Sequence, residues 1–161
     1  MEYVRGGLVR TARATRLLAA LLLVLSVGVN LANILGRYFL DAPLVWGEEV
    51  MAFLMVGFVF LGAVAISAAG RHIRMDMLLA LLPRPARRVG EAATILAEAA
   101  AAGLAAWLGW PVVAALMDFD QRADASGLPM WIPQAIVPVG LALILLVCLG
   151  RLALLAGERP R

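Results

Sequence analysis

Residues 50–69 have the sequence VMAFLMVGFVFLGAVAISAA, a run of twenty uncharged and mainly apolar residues. At about 1.5 Å per residue, a helix of this length matches the hydrocarbon core of a bilayer, which is about 30 Å thick. Glu48 and Glu49 come directly before the run, and Arg71 and Arg74 follow it. The stretch therefore predicts a transmembrane helix, and the charges at its two ends give that helix a direction.

Apolar segments of similar length lie on both sides of this run. Hydrophobic residues make up 63% of the 161-residue chain, whereas soluble domains contain roughly 45–50%. We therefore predict an all-α integral membrane protein in which residues 1–161 form a single four-helix membrane domain. The predicted spans are residues 17–36, 46–69, 92–117 and 131–149.

The arginines are distributed unevenly between the two sides of this predicted bundle. Twelve of the fourteen precede the first span, lie between the second and third, or follow the fourth. Arg37 and Arg122 alone lie on the opposite side. By the positive-inside rule, both termini are expected to be cytoplasmic. Since the arginines form short clusters between apolar runs, their charge marks topology rather than nucleic-acid binding.

Residues 73–82 form a separate apolar segment that is too short to cross a membrane. Between basic clusters, its apolar positions follow helical spacing; they are Ile73, Met77, Leu78, Leu81 and Leu82. This pattern predicts a short interfacial helix between spans two and three, stopped by the prolines that follow. A loop packed against a partner protein is the alternative.

The residue types needed for catalysis or for cofactor binding are scarce. His72 is the only histidine, and Cys148, the only cysteine, lies within an apolar run. A b-type haem held by two histidines is excluded, as is a zinc site of ordinary composition. We expect no enzymatic activity, no metal and no cofactor.

Polar residues recur at helical spacing toward the outer end of the first span. Ser26, Asn30, Asn33 and Arg37 lie four, three and four positions apart, which places them along one side of a helix. Contacts between helices are the favoured interpretation, and an ion or substrate path is the alternative. We also predict that Arg37 pairs with Glu48 or Glu49 and fixes the first hairpin.

Glu98 is the acidic residue that lies well inside a predicted span. Intramembrane carboxylates are candidates for proton or substrate sites, as in a small proton-coupled transporter. Because Glu98 stands alone in its span and Glu91 precedes it on the same side, we favour snorkelling or pairing with a partner subunit.

Several short motifs follow one another between positions 37 and 83. In order, they are Arg37-Tyr38-Phe39, Trp46-Gly47-Glu48-Glu49, Leu61-Gly62-Ala63, His72-Ile73-Arg74-Met75-Asp76 and Leu82-Pro83. Together these motifs resemble a known family, the DctQ-type small membrane subunit of tripartite ATP-independent periplasmic (TRAP) transporters. Gly47 stands where a serine or another small residue is expected, which is a mild departure from the family pattern.

The resemblance implies a role in a larger assembly in the bacterial inner membrane. The expected partners are a large DctM-type membrane subunit, a periplasmic DctP-type substrate-binding protein and membrane lipid, but no nucleic acid. The chain would brace the large subunit and help dock the binding protein for sodium-driven uptake of carboxylate-type solutes. The alternatives are a self-sufficient proton-coupled transporter using Glu98 and an anchor subunit of another membrane complex. The candidate structural or interface residues are Arg37, Trp46, Glu48, Glu49, His72, Arg74, Asp76, Glu98, Asp118 and Asp120.

Overall fold

Four long helices make up nearly all of the chain that is described. The computed structural model describes residues 2–69 and 83–157. Within them, α1 is Glu2–Phe39, α2 is Gly47–Ala68, α3 is Arg84–Asp118 and α4 is Trp131–Gly157. Each helix is long and apolar enough to cross a membrane, which confirms the prediction of an all-α membrane protein with four such helices.

Three of the helices continue well beyond the apolar segment that predicts them. α1 begins at Glu2, α3 begins at Arg84, and α4 ends at Gly157. These extensions lie at the end of the bundle where α1 and α3 begin and where α2 and α4 end. This end is here called the inner end. The predicted interfacial helix at residues 73–82, together with His72, Arg74 and Asp76, falls outside the described residues.

The helices are arranged in the order α1, α2, α4, α3, as two hairpins joined through α2 and α4. α1 packs mainly on α2, and α3 packs on α4. The buried hydrophobic cluster lies in the inner half of the bundle, where α2, α3 and α4 meet. Its members are Val64, Ile95, Ala99, Ala102, Ile144, Val147 and Cys148.

A buried glycine sets the distance between the two hairpins. A Cβ atom at Gly140 of α4 would lie 2.9 Å from Cβ of Phe60 in α2. Small residues allow close approach of helices where lipid supplies no hydrophobic driving force between them. The close packing of α2 against α4 therefore requires a residue without a side chain at position 140.

Candidate functional site

A buried polar cluster joins three helices in the inner half of the bundle. Ser67 of α2 donates a hydrogen bond to Oε1 of Glu98 in α3, with an O···O distance of 2.6 Å. Oε2 of Glu98 lies 3.5 Å from Nη1 of Arg151 in α4. Arg151 also donates to the carbonyl oxygen of Ser67 at 3.3 Å. These side chains, with Cys148 3.8 Å from Oγ of Ser67, form the inner polar cluster.

The inner polar cluster is largely shielded from its surroundings. Ser67 and Cys148 are fully buried, and the side chains of Arg151 and Glu98 are 10% and 20% exposed. Opposite charges interact more strongly when water is excluded, while an unpaired charge there is costly. The cluster therefore fixes the relative positions of α2, α3 and α4.

Glu98 accordingly has a different environment from the one its sequence suggests. We expected Glu98 to stand alone and to snorkel or pair with a partner subunit, but it pairs with Arg151 of the same chain. Ser67 is not among the residues that the sequence analysis selects, and Arg151 counts there only as a topological charge. Arg151 lies inside α4, six residues before the helix ends at Gly157. Its side chain contacts Ser67 of α2 and Glu98 of α3.

At the outer end, one carboxylate holds the loop between α3 and α4. Glu49, in the first turn of α2, accepts hydrogen bonds from the backbone N–H groups of Ala125 and Ser126 at 2.9 and 2.8 Å. The Ser126 hydroxyl also donates to Glu49, at 2.7 Å. This outer loop contact links the first hairpin to the second at the end of the bundle opposite the inner polar cluster.

The loop held by Glu49 is itself ordered by backbone hydrogen bonds. The N–H of Ala123 donates to Leu128, and the N–H of Met130 donates to Gln121, both at 2.9 Å. Gly127 adopts a φ of 65°, a left-handed conformation that glycine adopts without a steric penalty. Ala123 is buried. The loop is therefore a compact structure across the outer end of the bundle.

The first hairpin is stabilised by Asn33 rather than by the predicted arginine pair. Oδ1 of Asn33 accepts a hydrogen bond from the N–H of Leu44 at 3.0 Å. The carbonyl oxygen of Gly36 accepts bonds from two residues of the following loop. The predicted pairing of Arg37 is not observed. Arg37 is exposed, and within the described residues no ion pair joins it to Glu48 or Glu49. Glu49 instead accepts hydrogen bonds from the loop of the second hairpin. The polar residues of α1 were predicted to form contacts between helices, whereas the hydrogen bond of Asn33 goes to the loop that follows its own helix.

The remaining candidates at the outer end are exposed to different degrees. Trp46 precedes α2 and is 42% exposed, as suits a side chain at a membrane interface. Glu48 and Asp118 are exposed at helix ends. Asp120 forms an exposed ion pair with Arg122, with an N···O distance of 3.2 Å. The described residues contain no group of three or more histidine, cysteine, aspartate or glutamate side chains placed to bind a metal ion.

Comparison with known proteins identifies relatives of this chain. Residues 26–157 match the family described as "Tripartite ATP-independent periplasmic transporters, DctQ component". A shorter match links the chain to the sialic acid TRAP transporter permease protein SiaT of Haemophilus influenzae (strain 86-028NP). The two sequences are 35% identical over 74 residues, which cover 44% of this chain and 12% of that relative. The match thus covers a small part of a much longer protein.

Proposed function

Because the chain belongs to the DctQ component family of tripartite ATP-independent periplasmic transporters, we propose that it acts as the small subunit that braces the large membrane subunit of such a transporter. The bacterial inner membrane is the proposed location. The observation that carries this role is the double linkage of the two hairpins, by the inner polar cluster and by the outer loop contact. A bundle linked at both ends suits a static part against which another subunit moves.

The contacts of Glu98 also favour a bracing role over independent transport. A proton or substrate site needs a group that exchanges its partner during the cycle, whereas Glu98 is bound by Ser67 and Arg151 in the interior. The described residues contain no buried side-chain nitrogen or oxygen atom without a hydrogen-bond partner. The direct test is reconstitution in liposomes. Sodium-driven uptake should require the large subunit, and uptake by this chain alone would overturn the proposal.

The outer loop is the proposed docking surface for the periplasmic substrate-binding protein. Asp118, Asp120 and Asp124 are exposed there, and such acidic groups affect mainly the rate and specificity of association. Asp118→Arg with Asp120→Asn should reduce binding-protein-dependent uptake while the two membrane subunits still copurify. Asparagine is chosen at position 120 because that residue has a φ of 42°, a conformation that asparagine tolerates.

The transported solute is proposed by class only. We propose sodium-driven uptake of a carboxylate-type solute, as the resemblance to the family implies. The relative SiaT is named for sialic acid, a carboxylate. Since this subunit should not contact the solute, exchanging it between related transporters should leave solute preference with the large subunit and the binding protein. A preference that follows this chain would contradict the proposal.

The proposed orientation places the outer loop contact on the periplasmic side. The native cysteine, Cys148, is fully buried, so an introduced cysteine can be labelled against a low background. A membrane-impermeant maleimide added to intact spheroplasts should label Val45→Cys and Asp124→Cys but not Arg87→Cys. Labelling of the Arg87→Cys variant alone would show that the chain has the opposite orientation.

A further inference from the structure

A groove lies along the inner half of α1, where that helix faces α2 and α4. Its volume is about 890 Å³, within the range of about 300–1,000 Å³ that small-molecule sites occupy. Leu8, Ile66 and Leu154 are among the apolar residues that line it. The groove is open to the surroundings of the bundle, so a molecule could enter it from the membrane.

Two arginines on the α1 side of the groove provide positive charge. Arg13 and Arg16 are three residues apart on α1, so their side chains are neighbours on the helix surface. Both are exposed, and neither guanidinium forms a hydrogen bond or ion pair within the part of the chain that the structure describes. Two such guanidinium groups can together bind a phosphate.

The other charged residues in the groove wall are already engaged. Arg151 pairs with Glu98 in the inner polar cluster. Glu91, the acidic residue of the described wall, has an interaction of its own. The positive charge available to a ligand is therefore that of Arg13 and Arg16, directly beside an apolar surface.

We propose that this groove binds an anionic phospholipid, with its phosphate on Arg13 and Arg16 and an acyl chain along the apolar wall. The occupant must combine negative charge with hydrocarbon, because the groove combines basic and apolar residues. The site lies on the arginine-rich side of the bundle. In the proposed orientation, that side meets the cytoplasmic leaflet, where anionic lipids attract basic residues.

The test measures thermal unfolding of the full purified chain in detergent at constant ionic strength. The added probes are dioctanoyl phosphatidylglycerol, dioctanoyl phosphatidylcholine and inorganic phosphate. Phosphatidylglycerol should raise the Tm. The double variant Arg13→Gln/Arg16→Gln should need about thirtyfold more of this lipid for the same rise in Tm. The reason is that each basic residue contributes about 1 kcal/mol, a factor of about five in affinity. Ala12→Phe, which fills the groove without changing charge, should also weaken the effect.

The matched control is Arg10→Gln, which removes an exposed arginine of the same helix that is not among the described residues lining the groove. This variant should respond to phosphatidylglycerol as the parent chain does. If Arg10→Gln weakened the rise in Tm with phosphatidylglycerol as much as the double variant does, the effect would be general charge attraction, and the proposed site would be wrong. An equal response to phosphatidylcholine, or to inorganic phosphate alone, would likewise overturn an anionic-lipid site.

Discussion

The two ends of the bundle link the same hairpins by different means. The inner polar cluster joins three helices through the side chains of Ser67, Glu98 and Arg151, mostly out of reach of water. The outer loop contact joins α2 to a loop, through one carboxylate and two backbone N–H groups. Loss of the Glu98 or Arg151 side chain therefore leaves the opposite charge unpaired at the inner end. Loss of the Glu49 carboxylate instead frees backbone groups at the outer end that water can reach.

This difference predicts unequal consequences when each link is broken. Any residue except proline at positions 125 and 126 supplies a backbone N–H group, so the outer loop contact depends chiefly on Glu49. The inner polar cluster depends on a matched pair of charges on two helices. A static brace would thus have a rigid inner half and an outer loop whose order can change locally.

The largest effect is expected from Glu98→Ala. This change leaves the guanidinium of Arg151 partly buried without its carboxylate, and breaking a buried pair in this way costs about 3–5 kcal/mol. The measurement is the free energy of unfolding in detergent. A matched double variant, Glu98→Leu with Arg151→Met, should recover most of the loss because it removes both charges. If the double variant lost as much stability as Glu98→Leu and Arg151→Met lose in sum, the two residues would not be coupled.

A smaller loss is expected at the first hairpin from Gly36→Ala. The new Cβ atom would lie 2.7 Å from the backbone carbonyl oxygen of Ala42, so the turn must shift, at a cost of about 1–3 kcal/mol. Gly28→Ala is the matched control, because Gly28 is in the same helix and a Cβ atom there meets nothing within 4 Å. Equal Tm values for the two variants would contradict the close approach.

The smallest effect on overall stability is expected from Glu49→Gln. The amide keeps the size of the side chain but replaces one accepting oxygen with a donor, so the three hydrogen bonds from residues 125 and 126 cannot all persist. Hydrogen exchange should become faster at residues 119–130, while the Tm falls less than in Glu98→Ala. Glu48→Gln, at the exposed neighbouring position, should leave exchange in that loop unchanged. If Glu49→Gln lowered the Tm as much as Glu98→Ala does, the inferred difference between the two ends would be wrong.

Which residues meet across the bundle could be predicted only in part. The helical spacing that includes Asn33 indicated contacts between helices, but the hydrogen bond of Asn33 goes to the loop that follows its own helix. The pairing of Arg37 with Glu48 or Glu49 was inferred from similar depth along two helices. Depth alone does not give the direction of a side chain, and the amides of the second hairpin occupy Glu49.

The four long apolar helices of the described residues and the family features could both be recognised in the amino-acid sequence. An apolar run of about twenty residues is stable across a bilayer only as a helix, because its backbone groups must be satisfied within the segment. The family features are local strings such as Trp46-Gly47-Glu48-Glu49, which need no tertiary structure to be recognised. Tertiary structure alone decided the partners of Glu98 and Glu49. Residues 98 and 151, or 49 and 126, meet because of how each helix is rotated and packed, and that depends on contacts distributed over the whole bundle.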